Sequence, residues 1–299
     1  MVGLHEARVV AASAEAISVI VPPEAEGGTT AIRIEELPGE TVFAEIGRVV
    51  ATGIHQVDSP LYDRQRRLYV TQSGGRDTRV PVPLYRLHDT GGREPLAIDV
   101  ANPTSLALGP DGLIYISSRF DGHVYRLLAD DQVELYASEL GVATGLAFAP
   151  DGNLFVGDRS GSILRISPSR HVDTFASLPS SVAAFHLAFG PDGCLYVAAP
   201  TLATRDVIYR ITPDRIVEDA CTGFGRPQGL AFDSTGTLYV VDALAGAAGL
   251  YRVDVSRPRP EPELVVSAAA LVGVAFDPTG GVVLASNDTA WRLDVALSQ

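Results

Sequence analysis

The chain has 299 residues, with 23 basic against 36 acidic side chains, a net charge of −13 and 46% apolar residues. That composition is globular, and a chain of this length buries about 75% of its unfolded surface, enough for a core without disulfides or metals. The negative surface repels a phosphate backbone and an anionic bilayer alike, so nucleic acid and membrane are excluded as expected partners. All 23 basic residues are arginine, which removes Schiff-base catalysis, the phosphate-loop lysine and a lysine general base.

No apolar run reaches the roughly 18 residues of a membrane span, and the first eight residues carry no apolar secretion segment. As written, the chain is expected in the cytoplasm. Two cysteines, Cys194 and Cys221, form no metal or disulfide pattern and read as free thiols.

In chain order, residues 1–48 come first. Stretches 7–12, 17–21, 30–34 and 41–46 read as strands, with turns at Pro22-Pro23 and Gly27-Gly28. Four strands in so short a segment make a thin, partial sheet. From 49 to 299 the sequence repeats itself. Segments starting at Pro103, Ala143, Ala184, Pro227 and Leu271 each give a short apolar run, a polar glycine turn and a second apolar run. The turn glycines are Gly112, Gly152, Gly193, Gly236 and Gly280, spaced 40, 41, 43 and 44 residues apart. A first copy from Ser59 lacks the glycine.

A second marker keeps the same phase. Leu84-Tyr85-Arg86-Leu87 recurs in five later versions, with arginines at 126, 165, 210, 252 and 292. A period near 42 residues with several short Val, Ile, Leu, Tyr and Phe runs per unit predicts four-stranded propeller blades. In blade three the strands fall at 145–148, 154–157, 162–166 and 172–176. The expected fold is all-β, a six-bladed β-propeller. The sixth copy stops after its third strand, and residues 47–53 are expected to supply its outer strand and close the ring.

The Gly-Leu-Ala-Phe-x-Pro-Asp-Gly-x-Leu-Tyr-Val-x-Asp pattern, clearest from Gly145 to Asp158, resembles the NHL-type propellers and the gluconolactonase/senescence-marker and strictosidine-synthase-like group. The resemblance spans residues 49–299 and implies architecture more than activity, because the same blade serves enzymes and binding scaffolds. Residues 1–48 resemble the second half of an IPT/TIG immunoglobulin-like domain, carried by Ala7-Arg8-Val9-Val10 and Thr29-Thr30-Ala31-Ile32. That likeness implies a start further upstream and, with it, a secreted or periplasmic protein.

In a propeller, first strands begin and second strands end at the top of the central channel, while the Pro-Asp-Gly turns lie at the bottom. Asp111, Asp151 and Asp192 are therefore turn formers. The upper channel is expected to gather Ser59, Thr104, Thr144, His186, Gln228 and Val272, with Arg119, Asp158, Arg159, Asp242 and Asn287 around them. His186 stands where other copies carry a small residue and is the candidate acid/base. Thr104, Arg119, Thr144, Asp158, Arg159, Gln228, Asp242 and Asn287 are the candidate ligand-binding residues. Lactonases of the resembled group hold calcium on this axis with carboxylates and amides. Here the matching positions are hydroxyls, an amide, a histidine and a valine, so no cofactor is expected and calcium is disfavoured.

No nucleophile elbow, zinc-binding helix or Cys-x-x-Cys occurs, and Gly246-Ala247-Ala248-Gly249 leads into a strand, not the helix a phosphate site requires. The leading expectation is a binding module holding a small polar molecule or a protein segment. The alternative is a lactonase-type hydrolase or a lyase acting in the channel.

Overall fold

The structure is a computed structural model describing residues 1–34, 39, 41–75, 78–88, 92–244, 247–295 and 297. Gly246 of the top loop lies outside these. The N-terminal segment forms two separate hairpins. β1 (Arg8–Ala12) pairs with β2 (Ile17–Ile20), and β3 (Gly28–Ile32) pairs with β4 (Val42–Ile46). Every residue of β1 is exposed, so the expected single partial sheet is two thin ribbons. β5 (Arg48–Thr52) follows.

The remaining strands make six four-stranded antiparallel sheets. Blade one is β6 (Leu61–Tyr62), β7 (Leu68–Thr71), β8 (Leu84–Leu87) and β9 (Arg93–Leu96). Blade two is β10 (Pro103–Leu108), β11 (Ile114–Ser118), β12 (His123–Leu127) and β13 (Val133–Ala137). Blade three is β14 (Ala143–Phe148), β15 (Leu154–Asp158), β16 (Ser162–Ile166) and β17 (Val172–Ser177). Blade four is β18 (His186–Phe189), β19 (Leu195–Ala198), β20 (Asp206–Ile211) and β21 (Val217–Phe224). Blade five is β22 (Pro227–Phe232), β23 (Leu238–Asp242), β24 (Gly249–Val253) and β25 (Glu263–Ser267). Blade six is β26 (Leu271–Phe276), β27 (Val282–Ser286) and β28 (Thr289–Leu293), completed by β5. No helix occurs among the described residues. The architecture is the six-bladed propeller the repeat predicts.

Burial follows position in the blade. Second strands β11, β15, β19, β23 and β27 are buried along their whole length, because a neighbouring blade packs on each face. This is why they read as unbroken apolar runs rather than alternating ones. Fourth strands, at the rim, are less buried: β25 is half-buried or exposed throughout, and β13 keeps one buried residue of five. Aromatic edges lock adjacent layers, with Tyr115 and Phe148 edge to face at 4.8 Å and Phe155 and Phe189 at 5.1 Å.

The two sequence markers meet at the bottom of the blades. Gly112 and Gly152 turn with φ of 80° and 86°, a region L residues rarely adopt. The aspartate before each accepts an amide hydrogen two residues on: Leu113 N to Asp111 at 3.1 Å, Asn153 N to Asp151 at 3.0 Å. In blade four the turn carboxylate Asp192 also accepts from Tyr196 Oη (3.2 Å) and from the third-strand Arg210 Nε (2.9 Å). The repeated arginines reach onward to fourth-strand acids, Arg126 to Glu134 at 2.8 Å and Arg252 to Glu263 at 2.7 Å. Both cysteines are buried free thiols, each pushed up to about 11 chiefly by burial.

Ring closure runs through β28, where Thr289 pairs with Thr52, Ala290 with Ala51, Trp291 with Val49 and Arg292 with Arg48. Ala51 and Ala290 sit in one buried cluster with Val70 and Leu87 of blade one, so the clasp joins last blade to first. A chain shortened to begin at residue 47 should melt close to the full-length protein, since the strands it loses are mostly exposed. One beginning at residue 53 loses the clasp and should be destabilised by about 4 kcal/mol, at ~1 kcal/mol per ladder hydrogen bond. Chemical denaturation of the two forms checks the difference.

Candidate functional site at the top of the channel

Where the first strands of four blades begin, the pairing register slips. The slips lie between Pro103 and Leu106, Ala143 and Leu146, Pro227 and Leu230, and Leu271 and Gly273. A bulge inserts an unpaired residue and re-aims its side chain. The inserted positions carry Thr104, Thr144, Gln228 and Val272, and all four line a cavity of about 520 Å3 at the channel mouth. Loops after the second strands add Arg119, Arg159, Ala243 and Asn287 to the same wall, and His55 and Gln56 complete it on the blade-one side.

Thr104, Arg119, Thr144, Arg159, Gln228 and Asn287, all candidate ligand residues from the sequence, are thus brought together. The threonines also serve the frame: Thr144 Oγ1 donates to Gly157 O (2.8 Å) and accepts from Phe185 N of the next blade (3.0 Å).

Asp158 and Asp242 are elsewhere. Asp158 Oδ1 accepts Val142 N at 2.9 Å, and its other oxygen accepts the Ser160 hydroxyl. Asp242 accepts Gly225 N and Arg226 N, both at 2.8 Å, and Leu244 N at 3.0 Å. Neither lines the cavity. Each closes second strand to preceding loop by satisfying amides that would otherwise be orphaned. The expected rim of alternating aspartate and arginine is therefore corrected: the carboxylates are spent on backbone, and the mouth is positive.

Its positive charge comes from Arg119, Arg159 and Arg226, on blades two, three and five. Arg119 donates to Gly74 O at 3.1 Å and Arg159 to Val182 O at 3.0 Å. Among the described residues none of the three forms an ion pair. Burial, and then the like charge of Arg159, hold the Arg119 guanidinium below its ordinary range. Two more donors are left over at the site: Arg159 Nε and the cavity-lining Gln56 Nε2 are buried without a hydrogen-bond partner.

His186 lies below the mouth rather than in its wall, and is 1% exposed. β18 has no bulge, its pairing running unbroken from His186–Ala198 to Phe189–Leu195, so His186 takes the place of Gly145, Gly229 and Gly273, one step deeper. At those glycines neighbouring backbone leaves no room: a Cβ on Gly273 would stand 2.4 Å from Ser59 Cα, and one on Gly145 2.4 Å from Phe185 O. His186 instead extends across the axis. Its Nδ1 is 2.6 Å from Asp58 Oδ1, on the opposite blade of the ring, and its Nε2 is 3.2 Å from Gln228 Oε1. Asp58, 4% exposed, also accepts Ser59 N at 2.6 Å.

Sequence reasoning missed Asp58, Gln56, His55 and Arg226. Asp58 occupies, in blade one, the inserted position of Thr104, one residue before the Ser59 the repeat pointed to. Arg226 lies in a connecting loop outside the repeat and carried no signal.

The donor set does not fit calcium, which takes six to eight oxygens, usually with carboxylates. Three guanidinium groups line the mouth instead, and among the described residues no cluster of three or more His, Cys, Asp or Glu is arranged to hold a metal.

No family model matches the chain, and no curated protein does. Solved structures are similar in fold. A gluconolactonase from Xanthomonas campestris superposes with a TM-score of 0.64 at 14% identity, covering 91% of this chain and 96% of that one. A catalytically inactive virginiamycin B lyase from Staphylococcus aureus, solved with quinupristin, gives 0.61 at 17% identity, covering 89% and 88%. A protein of unknown function from Bacteroides thetaiotaomicron gives 0.66 at 14%, covering 96% and 87%. At these identities the likeness establishes the fold alone.

Asp242→Ala leaves three amide hydrogens to find water, and should lower unfolding stability by on the order of 2 kcal/mol. A denaturant titration checks it, with a normal spectrum confirming that the propeller still forms.

Proposed function

We propose that the chain binds a small anionic molecule, an organic carboxylate or a phosphate ester, in the cavity at the channel mouth. The observation that carries this reading is the set of three arginines, free of carboxylate partners among the described residues, converging on one cavity of a protein whose net charge is −13. A planar guanidinium offers paired N–H donors that match a carboxylate or phosphate. Gln56 Nε2 and the Asn287 amide extend the donor set, and Val57, Val182 and Val272 supply apolar wall for a carbon skeleton. Mutual repulsion between Arg119 and Arg159 is the cost that a bound anion would offset.

A second reading is a lactonase or lyase working in the same cavity. It is supported by the fold shared with a gluconolactonase and a virginiamycin B lyase and by the buried Asp58–His186 pair below the mouth. Lactone hydrolysis yields a carboxylate, the group the arginines suit, so both readings share one recognition chemistry. Proton release on mixing with gluconolactone, above the buffer rate and lost in His186→Gln, is the result this reading requires.

The likeness of residues 1–48 to half an immunoglobulin-like domain, and of the blades to NHL-type repeats, stands with these proposals. Both rest on the sequence patterns alone.

Arg119→Met and Arg159→Met should each weaken binding of a carboxylate probe such as malonate by about 10- to 100-fold, the loss of a charge-assisted hydrogen bond of ~1.5–3 kcal/mol. Each also gives up one hydrogen bond to a carbonyl, Gly74 O or Val182 O, so stability should fall by only about 1 kcal/mol, and least in Arg119→Met, where repulsion is relieved. Calorimetric titration and thermal melts of the same samples separate this from a purely structural role, in which stability would fall and malonate binding to the folded protein would not.

A further inference from the structure

His186 makes its two hydrogen bonds at opposite ring nitrogens, and the two partners differ in kind. Asp58 is a carboxylate and accepts, so Nδ1 carries a hydrogen. Gln228 is an amide with a donor end and an acceptor end, and it also lines the cavity. Whichever end faces Nε2, the other is turned away from the ring. When Nε2 is bare it accepts, so the Gln228 NH2 group must face the imidazole and the carbonyl is left for the cavity. When Nε2 carries a proton it donates to Oε1, across the 3.2 Å that separate the ring from the amide, and the NH2 group is left for the cavity.

We propose that Gln228 is a specificity-determining residue whose polarity is set by the protonation of the buried His186–Asp58 pair, so that anion binding at the mouth is accompanied by uptake of a proton at His186 Nε2. This rests on the anion-binding reading and adds its regulation. Two effects share one sign. A protonated imidazole turns a donor toward the anion, and it also balances the Asp58 carboxylate, which otherwise opposes a negative ligand from below. The proton comes from solvent and returns to it when the anion leaves.

The surroundings of His186 make the coupling specific. The strands packed against β18 are β14, β15, β19 and β22; β14 and β22 contain no titratable side chain, and Asp158 of β15 is turned to Val142 N and the Ser160 hydroxyl. Tyr196 of β19 is turned to Asp192 at the far end of the blade. Asp58 is the titratable group in contact. The charged and titratable groups of the cavity above are Arg119, Arg159, Arg226 and His55, whose Nδ1 is held 2.5 Å from Ser73 O. Arginine stays charged throughout the working range, which leaves His55 as the competing source of any pH dependence.

Sulfate is the probe, because its charge is constant between about pH 5.5 and about pH 7.5, the span over which an ordinary imidazole loses its proton. In wild-type protein at fixed ionic strength, calorimetry should show sulfate affinity falling on the order of tenfold across that span, the value of one charge-assisted contact. Repeating the titration in buffers of different ionisation heat should show net proton uptake. His55→Gln should keep the slope, Gln228→Met should reduce it, and His186→Gln should abolish both slope and uptake. A flat wild-type profile with no proton uptake overturns the proposal while leaving the anion site intact, and it needs no variant to fold. A slope that persists in His186→Gln or vanishes in His55→Gln also overturns it. Absence of sulfate binding at every pH, with malonate also unbound, overturns the anion site and this inference together.

Discussion

Six first strands converge on one axis, and how closely they approach is decided at a single position in each. Glycine at 145, 229 and 273 lets backbone touch backbone, to the point that a methyl group at Gly229 would stand 2.6 Å from Gly273 Cα. One step above, the bulges turn Thr104, Thr144, Gln228 and Val272 outward from the strand line, and the channel opens into a cavity. The site is thus a consequence of packing: closed below because the strands are tight, open above because four of them carry one residue too many for their partners. His186 is the departure from this rule. Where a small residue would leave the strands simply abutting, an imidazole spans to the opposite blade, and the floor of the cavity becomes polar.

Charge is sorted by height in the molecule. Near the bottom, turn aspartates and third-strand arginines join tyrosine hydroxyls, as at Asp192, Tyr196 and Arg210. At the top, the aspartates that end second strands are consumed by loop amides, and among the described residues Arg119 and Arg159 donate to backbone carbonyls, of Gly74 and Val182. Equal numbers of nearby charges do not make a neutral surface when one sign is turned inward. Residues that break the local rule of pairing opposite charges are the usual mark of a site shaped for something else.

The propeller was legible because two unrelated markers, a glycine turn and a Tyr-Arg strand, recur in one phase, and because a sixth copy short of a strand demands one from elsewhere. The level of each side chain was less so. Alternation along a strand says which face a residue takes, but a bulge shifts that count by one, and no residue type announces it. For this reason His186 reads as part of the mouth and lies below it, while Asp58 goes unnoticed beside Ser59. Asp158 and Asp242 illustrate a different limit: sequence places a carboxylate at the rim, whereas the choice between facing the channel and capping amides belongs to the fold of the adjoining loop. Arg226, outside the repeat, required the structure.

The β5–β28 clasp has a consequence for synthesis. Residues 48–52 emerge before the blades, but their partner, Thr289–Leu293, follows only after five blades have been made. Blades one to five can each pair locally as they appear, whereas the clasp spans nearly the full sequence and belongs to the slow, non-local class of contacts. Until β28 emerges, β5 is an unpaired strand with free backbone donors and acceptors on both edges, the kind of species that associates wrongly. The β3–β4 hairpin, finished before it and contiguous with it, leaves that strand's edges open until β28 arrives.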